Sequence, residues 1–161
     1  MHSQWGKRRM SVLRPSILGG VDGVITSFAI VAGSHSGGFG TNVVFLLGVS
    51  SVAADGLSMG VSEYLSTVST DGQRRAIWQG VSCFLSFVCN GIVPIVLYML
   101  VSGKVVSVAM FSLVQLMILG SLRSYVSKEN VLIGLLQTSL LGGAAGAVAY
   151  GVGRAIHDAS S

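Results

Sequence analysis

The sequence predicts an all-α integral membrane protein with five transmembrane helices. Three observations predict it. Hydrophobic residues make up 51% of the 161 residues and charged residues only 10%, against about 25% charged in a soluble domain. A soluble chain so poor in charge could not cover its own surface, so most of its surroundings must be lipid. Five apolar stretches follow one another, each close to the roughly 20 residues that a helix needs to cross a bilayer. Finally, Lys and Arg fall mostly on one side of the topology that those five stretches imply.

The expected spans are Ile17–Ser34, Val43–Thr67, Gln79–Val101, Val106–Val126 and Asn130–Ile156. Residues 1–16 form a basic segment with Lys7, Arg8, Arg9 and Arg14, residues 17–156 the transmembrane domain, and residues 157–161 a short tail. The first span follows basic residues as a signal peptide would. It carries Asp22, is rich in Gly and has no soluble domain after it, so it reads as a retained helix. It is short for a span. The second and fifth are long enough to tilt or to overhang the bilayer. Pro94 falls within the third and is expected to kink it. Turns are expected at Ser36–Gly40, Ser69–Arg75, Ser102–Lys104 and Ser127–Glu129, which leaves no room for a soluble domain.

Five spans put Lys7, Arg8, Arg9, Arg14, Arg74, Arg75, Arg123 and Lys128 on one side, and Lys104 and Arg154 on the other. By the positive-inside rule the N-terminus is cytoplasmic. The net charge of +4 comes without a basic stripe interleaved with aromatics, so no nucleic acid is expected as a partner. Cys83 and Cys89 lie six residues apart on one apolar stretch and face different ways, which argues against a disulfide and against zinc. His2 and His157 are terminal and His35 falls in a turn, so all three are expected to be solvated. No cofactor is expected.

Of the six acidic residues, Asp71, Glu129 and Asp158 fall in loops or at the tail. Asp22, Asp55 and Glu63 fall within the first two spans. Asp at the middle of a membrane helix costs about 2.5–3.5 kcal/mol on insertion scales, so three such residues need a reason. Asp55, Met59 and Glu63 are spaced four apart and drift only about 80° around the helix. They make one stripe, with a thioether between two carboxylates. Asp22 is expected about 7 Å into the membrane, counted from Ile17, at a depth similar to that of Glu63. Thr26 follows one turn deeper on the same face as a possible path-lining residue. Packed together, the two helices would line a polar track.

Carboxylate oxygens suit hard cations and a thioether adds affinity for softer ones, a mixture that fits Fe²⁺ or Mn²⁺ better than Mg²⁺ or Ca²⁺. Carboxylates also take up protons, so one set of residues can exchange metal for H⁺. The plainer reading of Met59 is core filler, and of Glu63 a lone residue reaching the interface. Asp55 has the weakest plain reading, since lipid offers it nothing. Gly19 with Gly23, and Gly56 with Gly60, make small-residue faces that let helices approach closely. These faces are expected to supply close contact in a homodimer, because an odd helix number and a half-lined track leave Asp22 in need of a second wall.

The residues also carry a resemblance. The run from Ile17 to Gly33, ILGGVDGVITSFAIVAG, is similar to the first helix of the vacuolar iron transporter family. Leu47–Ser66, LGVSSVAADGLSMGVSEYLS, is similar to that family's second. The pattern continues at Gly91–Pro94, Leu119–Arg123 and Leu141–Gly153, in order. The resemblance implies five transmembrane helices, a homodimer, and a metal path between the first and second helices at the dimer interface. It implies export of Fe²⁺, often also Mn²⁺, from the cytosol into a storage compartment in exchange for protons. Asp22, Asp55, Met59 and Glu63 fall on the family's positions. Many members carry a Glu-rich cytoplasmic domain between the second and third helices. Here that link is short and Asp71 is its only acid, so the chain resembles a short branch.

Residues and resemblance together predict a proton-coupled divalent-metal transporter rather than an enzyme, placed in the membrane of a vacuole or a similar acidic organelle, or exporting from the cell. Two other readings compete. A small-cation exporter of another family would use a membrane Glu among aromatics, which the Asp55–Glu63 stripe lacks. A non-transporting membrane scaffold would tolerate neutralisation of all three acids.

Overall fold

The computed structural model describes residues 2–160, with side chains from Val12 onward. The side chains of Lys7, Arg8 and Arg9, which carry part of the charge bias, lie outside the described residues. Five helices follow one another: α1 (His2–Ser36), α2 (Thr41–Asp71), α3 (Gln73–Leu100), α4 (Val105–Ser127) and α5 (Val131–Ser160). All five are long and apolar enough to cross a membrane, the first through Val12–Ser36. In lipid a backbone N–H or C=O left unpaired costs several kcal/mol, so an apolar stretch of this length resolves as a helix.

The boundaries differ from expectation. α1 does not start at Ile17: it is helical from His2. α2 and α3 are joined by Gly72 alone rather than by a loop over Ser69–Arg75. Gly72 has φ of 80°, a region that a side chain disfavours, so glycine allows the chain to reverse on one residue. α3 runs through Pro94 as the expected third span does, with Pro94 fully buried. Hydropathy marks where a chain enters lipid, not where its helix begins, and these helices overhang their apolar parts.

α1 is the central helix. Half of its most apolar stretch is buried, against 22–33% for the other four, and it packs on all of them. α3 lies against both α1 and α2, more extensively than those two meet each other. Glycine allows these approaches. A Cβ on Gly19 would strike the Cys83 backbone, one on Gly23 the Phe87 backbone, and one on Gly60 the Gly80 carbonyl at 2.9 Å. On the other side of α1, Gly146 of α5 receives the Phe28 ring, and Gly153 presses on Gly33 and Ser36. The Ser36 hydroxyl donates to the Tyr150 carbonyl at 2.8 Å. Thr138 of α5 donates to its own helix at Gly134 O (2.8 Å) and reaches across to Leu116 O of α4 (3.2 Å).

One expectation changes here. The Gly19/Gly23 and Gly56/Gly60 faces are taken up by α3 of the same chain, so they are not free to supply the contact with a second copy. Spacing shows that a face is small; it does not show which neighbour fills it.

Candidate functional site

α3 serves as a ruler for the acids. Gly23 of α1 rests on the Phe87 backbone, and a Cβ on Gly56 of α2 would meet Cδ1 of the same Phe87 at 3.2 Å. Asp22 immediately precedes Gly23 and Asp55 immediately precedes Gly56, each about 100° to the side of the α3 contact. The two carboxylates are therefore level, and they lie within electrostatic range of one another. This corrects the expectation that Asp22 is level with Glu63.

Glu63 sits two turns from Asp55 toward the end that carries Arg14, Arg74, Arg75, Arg123 and Lys128. It is half-buried and lines a cleft of about 600 Å³. Asp71 and Glu129 line the same cleft, with Arg14 and Arg123 beside them and Ile17, Leu18 and Val21 as an apolar wall. Asp71 closes α2 and accepts a hydrogen bond from Gln79 Nε2 at 2.9 Å. Glu129 sits in the α4–α5 turn, its N–H donating to Ser124 O at 3.0 Å. In the sequence these two are plain loop acids. The only signal that joins them to Glu63 is topological: all three fall at the basic end.

Between the two levels lies Met59, half-buried and packed against the cluster that contains Val52 and Phe87. Cys83 is buried behind Gly19, within electrostatic range of both Glu63 and Asp22; in the sequence it reads as a small apolar filler. Cys83 and Cys89 are both free. Thr26, one turn beyond Asp22, is half-buried. His35 is not in a turn but in the last turn of α1, half-buried, with Nδ1 3.0 Å from the Tyr98 hydroxyl.

Asp22 and Asp55 are exposed on this single chain although both sit well inside their spans. Among the described residues no three His, Cys, Asp or Glu side chains converge closely enough to hold a metal ion. One chain thus presents an open polar face: two carboxylates level with each other, a thioether beside them, and a third carboxylate at the mouth of a charged cleft. Divalent ions take about six or more oxygen ligands when bound by carboxylates and carbonyls, more than this face supplies by itself.

Comparison with known proteins agrees with the motifs. The family described as the VIT family matches residues 13–76 and 69–154. A vacuolar iron transporter 1 of Oryza sativa subsp. japonica is 24% identical, with 90% of this chain and 85% of that protein covered. A vacuolar iron transporter 1 of Eucalyptus grandis is 21% identical, covering 90% and 86%. A vacuolar iron transporter of Toxoplasma gondii is 33% identical over 72 residues, which are 42% of this chain and 24% of that protein.

Proposed function

This chain belongs to the VIT family, and from that premise we propose that it carries divalent iron out of the cytosol in exchange for protons. Mn²⁺ is the second cargo we propose. The observation that carries the reading is the level pair Asp22 and Asp55, exposed on one side of a chain whose helices suit a membrane. Carboxylates facing hydrocarbon are costly. A second copy placed over this side removes them from lipid and doubles the oxygen ligands, which supports a homodimer.

The basic end is cytosolic on this reading. The ion enters the cleft, meets Glu63, passes Met59 and is bound at the Asp22/Asp55 level. Thr26 and the far half of α1 then lead it to the other side. The plant relatives are named vacuolar, and we place this chain in the membrane of a vacuole or similar acidic compartment. Ionised carboxylates left without a cation are destabilised by one another and by lipid, and protons restore neutrality when the metal has left. Acid on the far side thus favours release and drives the cycle. The test is metal uptake into sealed vesicles with an imposed pH gradient. Fe²⁺ uptake is expected to rise when the lumen is acidic and to bring an equivalent loss of luminal protons. Uptake indifferent to the gradient would refute exchange.

Asp71 and Glu129 act as capture groups at the mouth, where together with Glu63 they outnumber Arg14 and Arg123 and leave a net negative charge that draws a divalent ion. The double variant Asp71→Asn/Glu129→Gln is expected to raise the metal concentration for half-maximal uptake severalfold while leaving the maximal rate nearly unchanged. The difference should shrink at high salt, where exposed charges are screened. Initial rates at graded metal and two ionic strengths decide it; a lower maximal rate with unchanged half-saturation would remove these acids from the capture role.

Met59→Leu separates ligand from filler. The two side chains are close in volume, so packing should lose less than about 1.5 kcal/mol. Fe²⁺ uptake is expected to fall more than Mn²⁺ uptake, because sulfur favours the softer ion. If the ratio of the two rates matches the parent's, Met59 serves only the cluster of Val52 and Phe87.

A further inference from the structure

The side of α2 turned away from its carboxylates carries a second groove. Leu57 and Val61 of α2 and Ile77 and Val81 of α3 wall a space of about 310 Å³. Its floor is the crossing of Gly60 and Gly80, where the missing side chains let the helices touch and leave a trough beside them. Leu57 and Val61 lie about 120–160° around the helix from Asp55 and Met59. A second copy that covers the carboxylates therefore leaves this groove to the bilayer. The four walls are 42–59% exposed.

The groove has one polar end. Tyr64 lines it on α2. Arg74 precedes Ile77 by three residues, hence on the same face of α3 and one turn nearer the basic end. Arg74 is exposed and has no carboxylate partner among the described residues. Trp78 beside it is 62% exposed. Tyr and Trp at the edge of a span sit at headgroup level, and Lys or Arg clustered there attract anionic lipid. From Leu57 to Tyr64 the trough is about 10 Å long. A helix about 10–12 Å across cannot enter so small a volume, whereas one hydrocarbon chain can.

We propose that this groove holds one acyl chain of an anionic phospholipid whose phosphate is bound by Arg74. The proposal takes from the proposed function only that a second copy covers the carboxylates, and its readout is lipid rather than transport. The full chain in mild detergent is offered phosphatidylglycerol or phosphatidylcholine of matched chains, and retained lipid is counted by native mass spectrometry. The parent is expected to keep one lipid and to prefer phosphatidylglycerol about fivefold, the order expected for one basic residue near an anionic surface. Arg74→Gln should still keep a lipid but lose the preference. Val81→Trp, which fills the groove from its exposed wall, should keep neither lipid, and Leu57→Trp should do the same if Val81→Trp fails to fold. A parent that retains no lipid, a groove-filling variant that retains as much as the parent, or a preference unchanged in Arg74→Gln would overturn the proposal.

Discussion

Vesicles that carry Asp22→Asn are expected to take up Fe²⁺ at least roughly a hundredfold more slowly than the parent, the order of effect for breaking a buried charge pair. A divalent ion held inside a membrane needs nearly full compensation of charge. Asp22 and Asp55 are the level pair that can give it, with Glu63 two turns away. Asn keeps the shape and one carbonyl oxygen of Asp22 but removes a negative charge and a proton-accepting group. Folding should be untouched, because Asp22 is exposed on the single chain and outside the apolar clusters. Yield and elution profile should match the parent's. The same variant tests whether two copies share the site. Co-expressed in equal amounts with the parent, it should lower uptake to about a quarter if mixed dimers are dead, against about half if each chain works alone. Uptake by the pure variant at the parent's rate, with the same response to a pH gradient, would refute the mechanism.

The second large effect is structural. Gly23→Ala is expected to lower stability by about 1–3 kcal/mol, the usual range for overpacking. The new Cβ would strike the Phe87 carbonyl oxygen and lie 3.2 Å from its Cα. Backbone cannot rotate away as a side-chain tip can, so α1 and α3 must separate. Asp22 is positioned by that contact and Asp55 by Gly56 against the same Phe87, so the shift also spoils the level pair and uptake should fall with stability. Gly143→Ala and Gly151→Ala are the controls, since a Cβ at either meets nothing within 4 Å. They should be neutral or slightly stabilising, because Ala exceeds Gly in helix propensity by up to about 1 kcal/mol. Thermal melts in detergent and uptake rates in vesicles measure both arms. A Gly23→Ala protein that melts with the parent would mean that the crossing is looser than its geometry implies.

The sequence by itself determined the five helices and the unusual acids. In lipid each helix pairs its own backbone, so apolar length alone identifies it, and a carboxylate inside such a stretch stands out whatever surrounds it. The spacing of Asp55, Met59 and Glu63 likewise shows a shared face, because helical period is a local property. Tertiary structure alone decided the rest. That Asp22 is level with Asp55 rather than Glu63 depends on how far α1 and α2 slide along α3. That Asp71 and Glu129 join Glu63 at one cleft depends on which helix ends are neighbours. That Gly19, Gly23, Gly56 and Gly60 meet α3 depends on competition among faces. Period fixes an angle around each helix axis, but vertical offset and choice of neighbour come from side chains and glycines interlocking between helices, and small residues permit many such partners without specifying one.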